Sequence, residues 1–296
     1  MKNILIIIIV ACFLLCQCNK NIESRDKIRV FVSILPQEYF AERIGGNRVK
    51  VTTLVPPGSS PHIFAPTPKQ MASLSRAGIY FRIGAEFEKS FVPKIESLFK
   101  NLKIVDTRQG IKMRYMKIPC SHEHHDHREH AETPDPHIWM NPLLVKIQAQ
   151  TMCSALVNID PAGALIYRKN CDIFQRDLDT LHAGLKKNLD QLYGRELFVF
   201  HPSFGYFADA YGLRQVEVEV DGKEPGARML SRIVERARQD SVKIIFVQKQ
   251  FSPKSARAIA ESINGAVVSV DPLEKNYILM LEKIAGTIKA ALSKIE

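Results

Sequence analysis

Histidine is unevenly distributed in this chain, because six of its nine histidines lie between Ser121 and Pro142. The segment Asp135-Pro136-His137-Ile138-Trp139 presents one of them, His137, on a backbone fixed by a proline and an aromatic residue. The other five lie in a polar run without large apolar residues, which is typical of a loop: His122, His124, His125, His127 and His130. Clustered neutral imidazoles form a flexible chelator for zinc, copper or nickel. The sequence therefore predicts a loose metal-collecting tract beside one ligand of an ordered site.

Three more residues that can bind metal follow predicted buried strands: His62, His201 and Asp271. In open α/β sheets, ligands bind at the carboxyl ends of strands, and in a two-domain protein these ends can face each other across a cleft. Taken singly, each residue is read as a surface or capping side chain. Together with His137 they predict a closed site of three imidazoles and one carboxylate, which suits Zn²⁺ and reserves no position for a catalytic water. His182, on a long predicted helix, is interpreted as structural.

Strands and helices alternate along the first half of the chain, which predicts a parallel α/β sheet. Thr67, Pro68 and Gln70 form a capping box that starts one of the helices. Runs of apolar residues predict the remaining elements of this half, which are strands at 28–35, 49–55, 79–83 and 103–105 and a helix at 88–99.

After Asp160 the apolar residues recur at steps of three and four. This spacing predicts one long helix from Pro161 to Tyr193, roughly 50 Å long at 1.5 Å per residue. We interpret this helix as a strut between two lobes, although its apolar stripe also fits an ordinary core face or a coiled-coil seam. A second α/β set follows, with strands at 196–200, 213–220, 243–247 and 266–270 and helices at 203–211, 227–239, 252–263 and 277–293. The predicted boundaries are an N-terminal α/β lobe at 27–159 that includes the histidine-rich loop 121–130, a linking helix at 160–193 and a C-terminal α/β lobe at 194–296.

The N-terminus predicts export. Lys2 precedes an apolar run from Ile4 to Leu15, which is shorter than the roughly 20 residues of a membrane span and is typical of a signal peptide, predicted at 1–18. The run ends in a segment similar to a bacterial lipoprotein box, with Cys18 as the expected lipid attachment site and Cys16 as its competitor. We therefore expect an exported protein, either periplasmic or anchored to a membrane as a lipoprotein.

Composition narrows the class of protein further. A chain of 296 residues with 46% hydrophobic content can bury a real core and suggests two domains. The formal net charge of +10 suits an acidic surface or nucleic acid, but the basic residues form no recognised nucleic-acid motif and export argues against that partner. Outside the export signal, Cys120, Cys153 and Cys171 are odd in number and lack a CxxC spacing, so the sequence predicts no disulfide framework.

These motifs resemble those of the zinc/manganese-type solute-binding lipoproteins of bacterial ABC metal importers, the periplasmic zinc-binding protein family. The matching segments follow the family order along nearly the whole mature chain: 61–68 (PHIFAPTP), 135–139 (DPHIW), 201–207 (HPSFGYF), 211–213 (YGL), 250–254 (QFSPK) and 271–273 (DPL). The resemblance implies two lobes, each a parallel sheet wrapped by helices, joined by one long rigid helix. It also implies one metal site in the cleft between the lobes.

Carried over position by position, the resemblance implies that His62 and His137 are metal ligands from the first lobe, and His201 and Asp271 from the second. The histidine-rich loop is similar to that of zinc-specific members. Zn²⁺ is the favoured cargo, because manganese-type members often carry a carboxylate at the position of His201 and Mn²⁺ prefers oxygen ligands. Manganese and iron stay open as alternative cargoes.

The implied function is capture of extracytoplasmic Zn²⁺ and its delivery to an ABC permease in the inner membrane, by a monomer without catalysis of its own. A secreted metallohydrolase is an alternative from another class, but it would use an open coordination position and an HExxH-type helix, and the sequence contains no such motif. A surface adhesin in which metal only stabilises the fold is the third reading. Gln248 and Asn141 depart from the family's usual glutamate and aspartate, which we expect to alter the hydrogen bonds that tune metal affinity.

Overall fold

The computed structural model describes residues 27–117, 132–218, 227–239, 242–251 and 253–293. The predicted signal peptide with Cys18 and the histidine-rich tract at 121–130 lie outside the described residues. The expectations of lipidation and of metal collection by the tract therefore stay predictions.

The first lobe is built on a four-stranded parallel sheet with the strand order β2-β1-β3-β4. Its strands are Ile28–Val32 (β1), Val49–Thr53 (β2), Ile79–Arg82 (β3) and Lys103–Asp106 (β4), and its helices are Leu35–Gly45 (α1), Pro68–Leu74 (α2) and Glu88–Leu98 (α3). Helix α2 begins at the predicted capping box, in which Thr67 accepts a hydrogen bond from the main chain of Gln70 and the Gln70 side chain accepts one from that of Thr67. The central strands β1 and β3 are apolar because both of their faces are buried.

Two elements of the middle of the chain were not predicted. A short antiparallel ribbon, Tyr115–Lys117 (β5) and Glu132–Pro134 (β6), flanks the histidine-rich tract. Helix Pro142–Ile159 (α4) begins where the Asn141 side chain accepts a hydrogen bond from the main chain of Leu143 and Pro142 occupies the first turn. Its apolar residues lie on most of its faces, so the alternation that marks an amphipathic helix is weak.

The long central helix is Ala164–Leu189 (α5), 26 residues and roughly 39 Å at 1.5 Å per residue. Turns of 3-10 helix at Pro161–Gly163 and Asp190–Leu192 continue it on both sides, so the α-helical part is shorter than the predicted span of 161 to 193. The short connection folds α4 back along α5 as a helical hairpin. The predicted apolar stripe is buried from Phe174 to Leu192.

The second lobe repeats the architecture of the first, with a parallel sheet of strand order β10-β9-β7-β8. Its strands are Glu196–Val199 (β7), Arg214–Glu217 (β8), Ile244–Gln248 (β9) and Ala266–Val270 (β10), and its helices are Gly205–Tyr211 (α6), Ala227–Gln239 (α7), Pro253–Ser262 (α8) and Tyr277–Leu292 (α9). Gly212 ends α6 in the left-handed conformation, at φ 70°, which glycine adopts without steric cost.

One hydrophobic core runs through both lobes. It contains side chains from β1 and β3, from α5, from β7 and β9, and from α9. Across the lobes, the rings of Phe40 in α1 and Tyr277 in α9 meet edge to face, with centroids 4.9 Å apart. The prediction of two parallel-sheet lobes and a long central helix is confirmed. Within the described ranges, no helix is both long and apolar enough to cross a membrane.

Candidate metal site

Loops at the carboxyl ends of the strands bring three predicted ligands together between the two sheets. His62 lies in the loop from β2 to α2, and His201 lies two residues after β7. His137 comes directly before the 3-10 turn Ile138–Met140, which leads into α4. Parallel strands end at one edge of a sheet, and here the edges of the two sheets face each other, so loops distant in sequence meet.

The three histidines present their Nε2 atoms to one another. The Nε2 atoms of His62 and His201 are 3.0 Å apart, and those of His201 and His137 are 3.1 Å apart. Two nitrogen ligands on a tetrahedral zinc ion stand about 3.3 Å apart when each metal bond is roughly 2.0–2.1 Å. In these two pairs, the nitrogen atoms are therefore spaced almost as a single bound ion requires, and the ligand atoms of all three histidines lie within 4.8 Å of one another.

Burial favours the neutral, metal-binding form of the His62 imidazole. His137 and His201 are 4% and 5% exposed, and His62 is partly buried. Burial, together with the neighbouring His201 and His137, lowers the pKa of His62 to about 3. His62 is therefore neutral at any ordinary pH, and neutral imidazole is the form that donates a lone pair to a metal ion.

Asp135 fixes the orientation of His137. Its Oδ1 atom lies 2.7 Å from His137 Nδ1 and also accepts the main-chain N–H of His137 at 3.0 Å. The Asp135 carboxylate is buried and lies 3.8 Å from the Arg114 guanidinium. A proton held on Nδ1 by this carboxylate leaves Nε2 with the free lone pair, which is how a carboxylate selects the tautomer of a metal-binding histidine.

Gln248 and Phe251 hold His201 from two sides. The side-chain amide of Gln248 bonds to both the main-chain N–H and the carbonyl of His201, and it also donates to Ser203 Oγ. The ring of Phe251 stacks on the His201 imidazole, with centroids 4.8 Å apart and planes 24° apart. The ring position of His201 is thus fixed through its backbone and through one of its faces.

The structure does not bring Asp271 into the group of three histidines. Among the described residues, the group of metal-binding side chains whose ligand atoms lie within 4.8 Å of one another is His62, His137 and His201. Asp271 follows β10 as predicted, but its Oδ1 accepts hydrogen bonds from Gln250 Nε2 at 2.8 Å and from the main chain of Leu273 at 3.1 Å. Its Oδ2 lies 3.6 Å from Lys249 Nζ.

The histidines line a cavity of about 30 Å³. Its remaining wall is largely apolar and includes Ile34, Trp139, Phe251 and Leu273. A space of this volume holds about one water molecule or one metal ion. The arrangement can therefore select an ion by its preference for imidazole, and the apolar wall limits the access of water to it.

The fold and this site together define a protein of two parallel-sheet lobes with three converging imidazoles between them. The model of the family ZnuA, zinc-uptake complex component A, periplasmic, matches residues 30–291 of the chain. The chain is 29% identical over 286 residues to the high-affinity zinc uptake system protein ZnuA of Bacillus subtilis strain 168, covering 90% of this chain and 87% of that relative.

Two solved structures are similar throughout. A crystal structure of ZnuA shares 37% identity at a TM-score of 0.82, covering 90% of this chain and 99% of that chain. The structure of a ZnuA deletion mutant with zinc bound shares 38% identity at a TM-score of 0.80, covering 90% of this chain and 98% of that one. The chain belongs to the family of periplasmic zinc-uptake components, a family of solute-binding proteins of ABC metal importers.

The sequence pointed to three of the residues in this site and missed a fourth. Asp135 received no role, although an aspartate two residues before a histidine is a usable signal, because its side chain commonly accepts the N–H two residues further on. Gln248 was recognised only as a departure from the family pattern, and its contact with the His201 main chain was not foreseen.

Proposed function

We propose that this protein captures Zn²⁺ outside the cytoplasm and delivers it to the permease of an ABC importer. The observation that carries the proposal is the convergence of three imidazole Nε2 atoms from the loops of both lobes. A cavity with the volume of one ion suits a carrier that binds and releases a single ion as cargo.

The proposed ligands are His62, His137, His201 and Asp271. The first three are already spaced for one ion. Asp271 completes the set when its carboxylate turns from Gln250 and Lys249 toward the imidazoles, a short movement because the next residues, Pro272 and Leu273, line the same cavity. Three imidazoles and one carboxylate form a four-coordinate set that Zn²⁺ accepts readily. Mn²⁺ and Fe²⁺ are the alternative cargoes, and the preponderance of nitrogen ligands favours zinc over manganese.

The histidines at 122, 124, 125, 127 and 130 serve as an accessory collector in this proposal. The β5–β6 ribbon flanks the tract, and its residues Met116, Thr133 and Pro134 line a second cavity that also includes His62. In this proposal, ions gathered by the low-affinity histidines pass on to the tighter site.

The proposal also retains the predicted organisation of the chain. Residues 1–18 are a signal peptide, Cys18 carries the lipid anchor, and the mature protein works as a monomer. The lobes are 27–159 and 194–296, with 160–193 between them as the linking helix. A tethered monomer keeps the cargo close to the permease that receives it.

The test is a competitive zinc titration of the mature protein, with metal content measured by plasma mass spectrometry. His201→Ala is expected to lose the single tight zinc, whereas deletion of residues 121 to 130 is expected to keep it. His182→Ala is the matched control, because His182 is a partly buried histidine on α5 whose ring hydrogen-bonds to Tyr211 and which is not part of the group of three histidines. Loss of the tight zinc only in the deletion variant would refute the proposed site, and tight binding of manganese or iron instead of zinc would change the cargo.

A further inference from the structure

Two cysteines lie side by side in the helical hairpin that joins the lobes. Cys153 is in α4 and Cys171 is in α5, and their side chains are 3% and 1% exposed. Both are free thiols in the structure. The two residues have no CxxC spacing, so the sequence alone predicts no pairing, but helix packing places them together.

The contacts around the two thiols show that they face each other. Cys171 Sγ donates to the carbonyl of Ala149 at 3.7 Å, and Ala149 lies one helical turn before Cys153 on the same face of α4. The thiols of Cys153 and Cys171 are also hydrogen-bonded to each other. In the folded protein, the hydrogen bond from the Cys153 thiol lowers the pKa of Cys171 to about 7.

We propose that Cys153 and Cys171 form a disulfide bond that ties α4 to α5 when the protein folds outside the cytoplasm. Thiols persist in the reducing cytosol, whereas extracytoplasmic compartments oxidise adjacent pairs. The inference uses the periplasmic location of the family and does not depend on the metal ligand set, so its failure would leave the proposed function intact.

The oxidant is a disulfide, R–S–S–R, carried by a protein or a small molecule. The thiolate of one of the two cysteines attacks one sulfur of that disulfide, whose S–S bond breaks and releases one RS⁻. The other cysteine then loses its proton and attacks the sulfur of the first, which breaks the mixed disulfide and releases the second RS⁻. Two cysteine thiols lose two electrons and two protons, and the oxidant gains both as two RSH. Because both thiols are buried in the folded protein, the reaction belongs to the folding stage, before the α4–α5 interface closes.

The bond would stiffen the scaffold that carries one side of the metal site. Helix α4 begins five residues after His137, and α5 packs against elements of both lobes. The disulfide would close a loop of fewer than 20 residues, which lowers the conformational entropy of the unfolded chain moderately. The oxidised form is therefore expected to melt on the order of 5 °C above the reduced form.

The test is peptide mapping of the mature chain recovered from the periplasm, with free thiols alkylated under denaturing conditions without reductant. The expected result is a peptide cross-linked between Cys153 and Cys171, with Cys120 alkylated. The melting temperature should fall on reduction in the wild type and in the Cys120→Ser control, but not in the double variant Cys153→Ala with Cys171→Ala. Alkylation of both Cys153 and Cys171, or a bond from either of them to Cys120, would overturn the proposal.

Discussion

Gln248 holds both main-chain polar groups of His201 with one side-chain amide. Its Oε1 accepts the His201 N–H at 3.1 Å, and its Nε2 donates to the His201 carbonyl at 2.6 Å. Both residues are buried, so neither hydrogen bond has water as a ready substitute. An amide can accept and donate at once, whereas a carboxylate can only accept. The position of the His201 imidazole therefore depends on glutamine at 248.

Replacing this amide by a carboxylate should weaken zinc binding. In Gln248→Glu the second oxygen faces the His201 carbonyl oxygen, so the loop after β7 must shift and His201 moves with it. We expect zinc affinity to fall by about 10–100-fold, the usual cost of losing a group that orients a metal ligand. Competitive titration measures this, with Gln109→Glu as the control because it makes the same change at an exposed position. An affinity equal to that of the wild type would show that Gln248 does not position His201.

Asp135 is expected to act on His137 in a different way, through its tautomer. Asp135→Asn can place an N–H opposite Nδ1, which favours the tautomer with the proton on Nε2 and removes the lone pair that binds metal. We expect a loss of zinc affinity of about 10–100-fold, measured by the same titration.

The control for this variant is Asp209→Asn. Asp209 is the other carboxylate that pairs with Arg114, but its side chain is 60% exposed and does not contact a histidine of the site. The variant should bind zinc as the wild type does. Equal losses in both variants would mean that Arg114, and not the tautomer of His137, is responsible for the effect.

The lobes should move little when zinc binds. Trp139 Nε1 donates to the carbonyl of Pro272 at 2.8 Å, and Tyr277 Oη donates to the carbonyl of Trp139 at 2.7 Å, so buried hydrogen bonds cross between the lobes beside the site. Lys275 adds ion pairs to Glu38 and Glu42 on α1. Together with the shared core, these contacts oppose a hinge motion.

Hydrogen exchange with and without zinc tests this rigidity. Protection should rise in the loops that carry His62, His137 and His201 and around Asp271, and it should change little in the strands of either sheet. A zinc-dependent change spread over both sheets and α5 would indicate lobe closure and would contradict the expectation.

Acid stability of the metal-free protein should depend on Asp106. Burial alone raises the pKa of this carboxyl, but hydrogen bonds from Arg108 and Arg82 outweigh burial and lower it to about 2. Because the folded-state pKa is below the unfolded value of about 3.8, the group stabilises the fold above that value and loses its effect as the pH falls toward 2. Asp106→Asn should therefore cost about 1–2 kcal/mol at pH 7, with allowance for partial exposure, and almost nothing near pH 2.

Denaturant unfolding of the wild type and Asp106→Asn between pH 7 and pH 2 measures this difference. Asp179→Asn is the control, because Asp179 pairs with Lys146 on an exposed surface and should change stability little at any pH. A stability difference for Asp106→Asn that is the same at pH 7 and pH 2 would mean that the ionised carboxylate is not its source.

Local patterns predicted most of the fold, because strands covered on both faces are continuous apolar runs and capping residues mark helix ends. Helix α4 was missed since it is apolar on most sides and lacks an amphipathic period. His62 and His201 were predictable because strand ends in α/β folds meet at one edge, and His137 because a proline and an aromatic residue fix the backbone around it. The hydrogen bonds between Gln250 and Asp271 and between His201 and Gln248 depend on how side chains from different loops of the second lobe are placed, which sequence periodicity does not encode.

X-ray absorption at the zinc edge tests the central claim most directly. The sample is the mature protein without residues 121 to 130, loaded with one equivalent of zinc. Three imidazole ligands and one carboxylate oxygen at roughly 2.0–2.1 Å are expected, with one imidazole lost in His201→Ala. A zinc ion with fewer than three imidazoles, or with a sulfur ligand, in the tract-deleted protein would contradict the site formed by His62, His137 and His201.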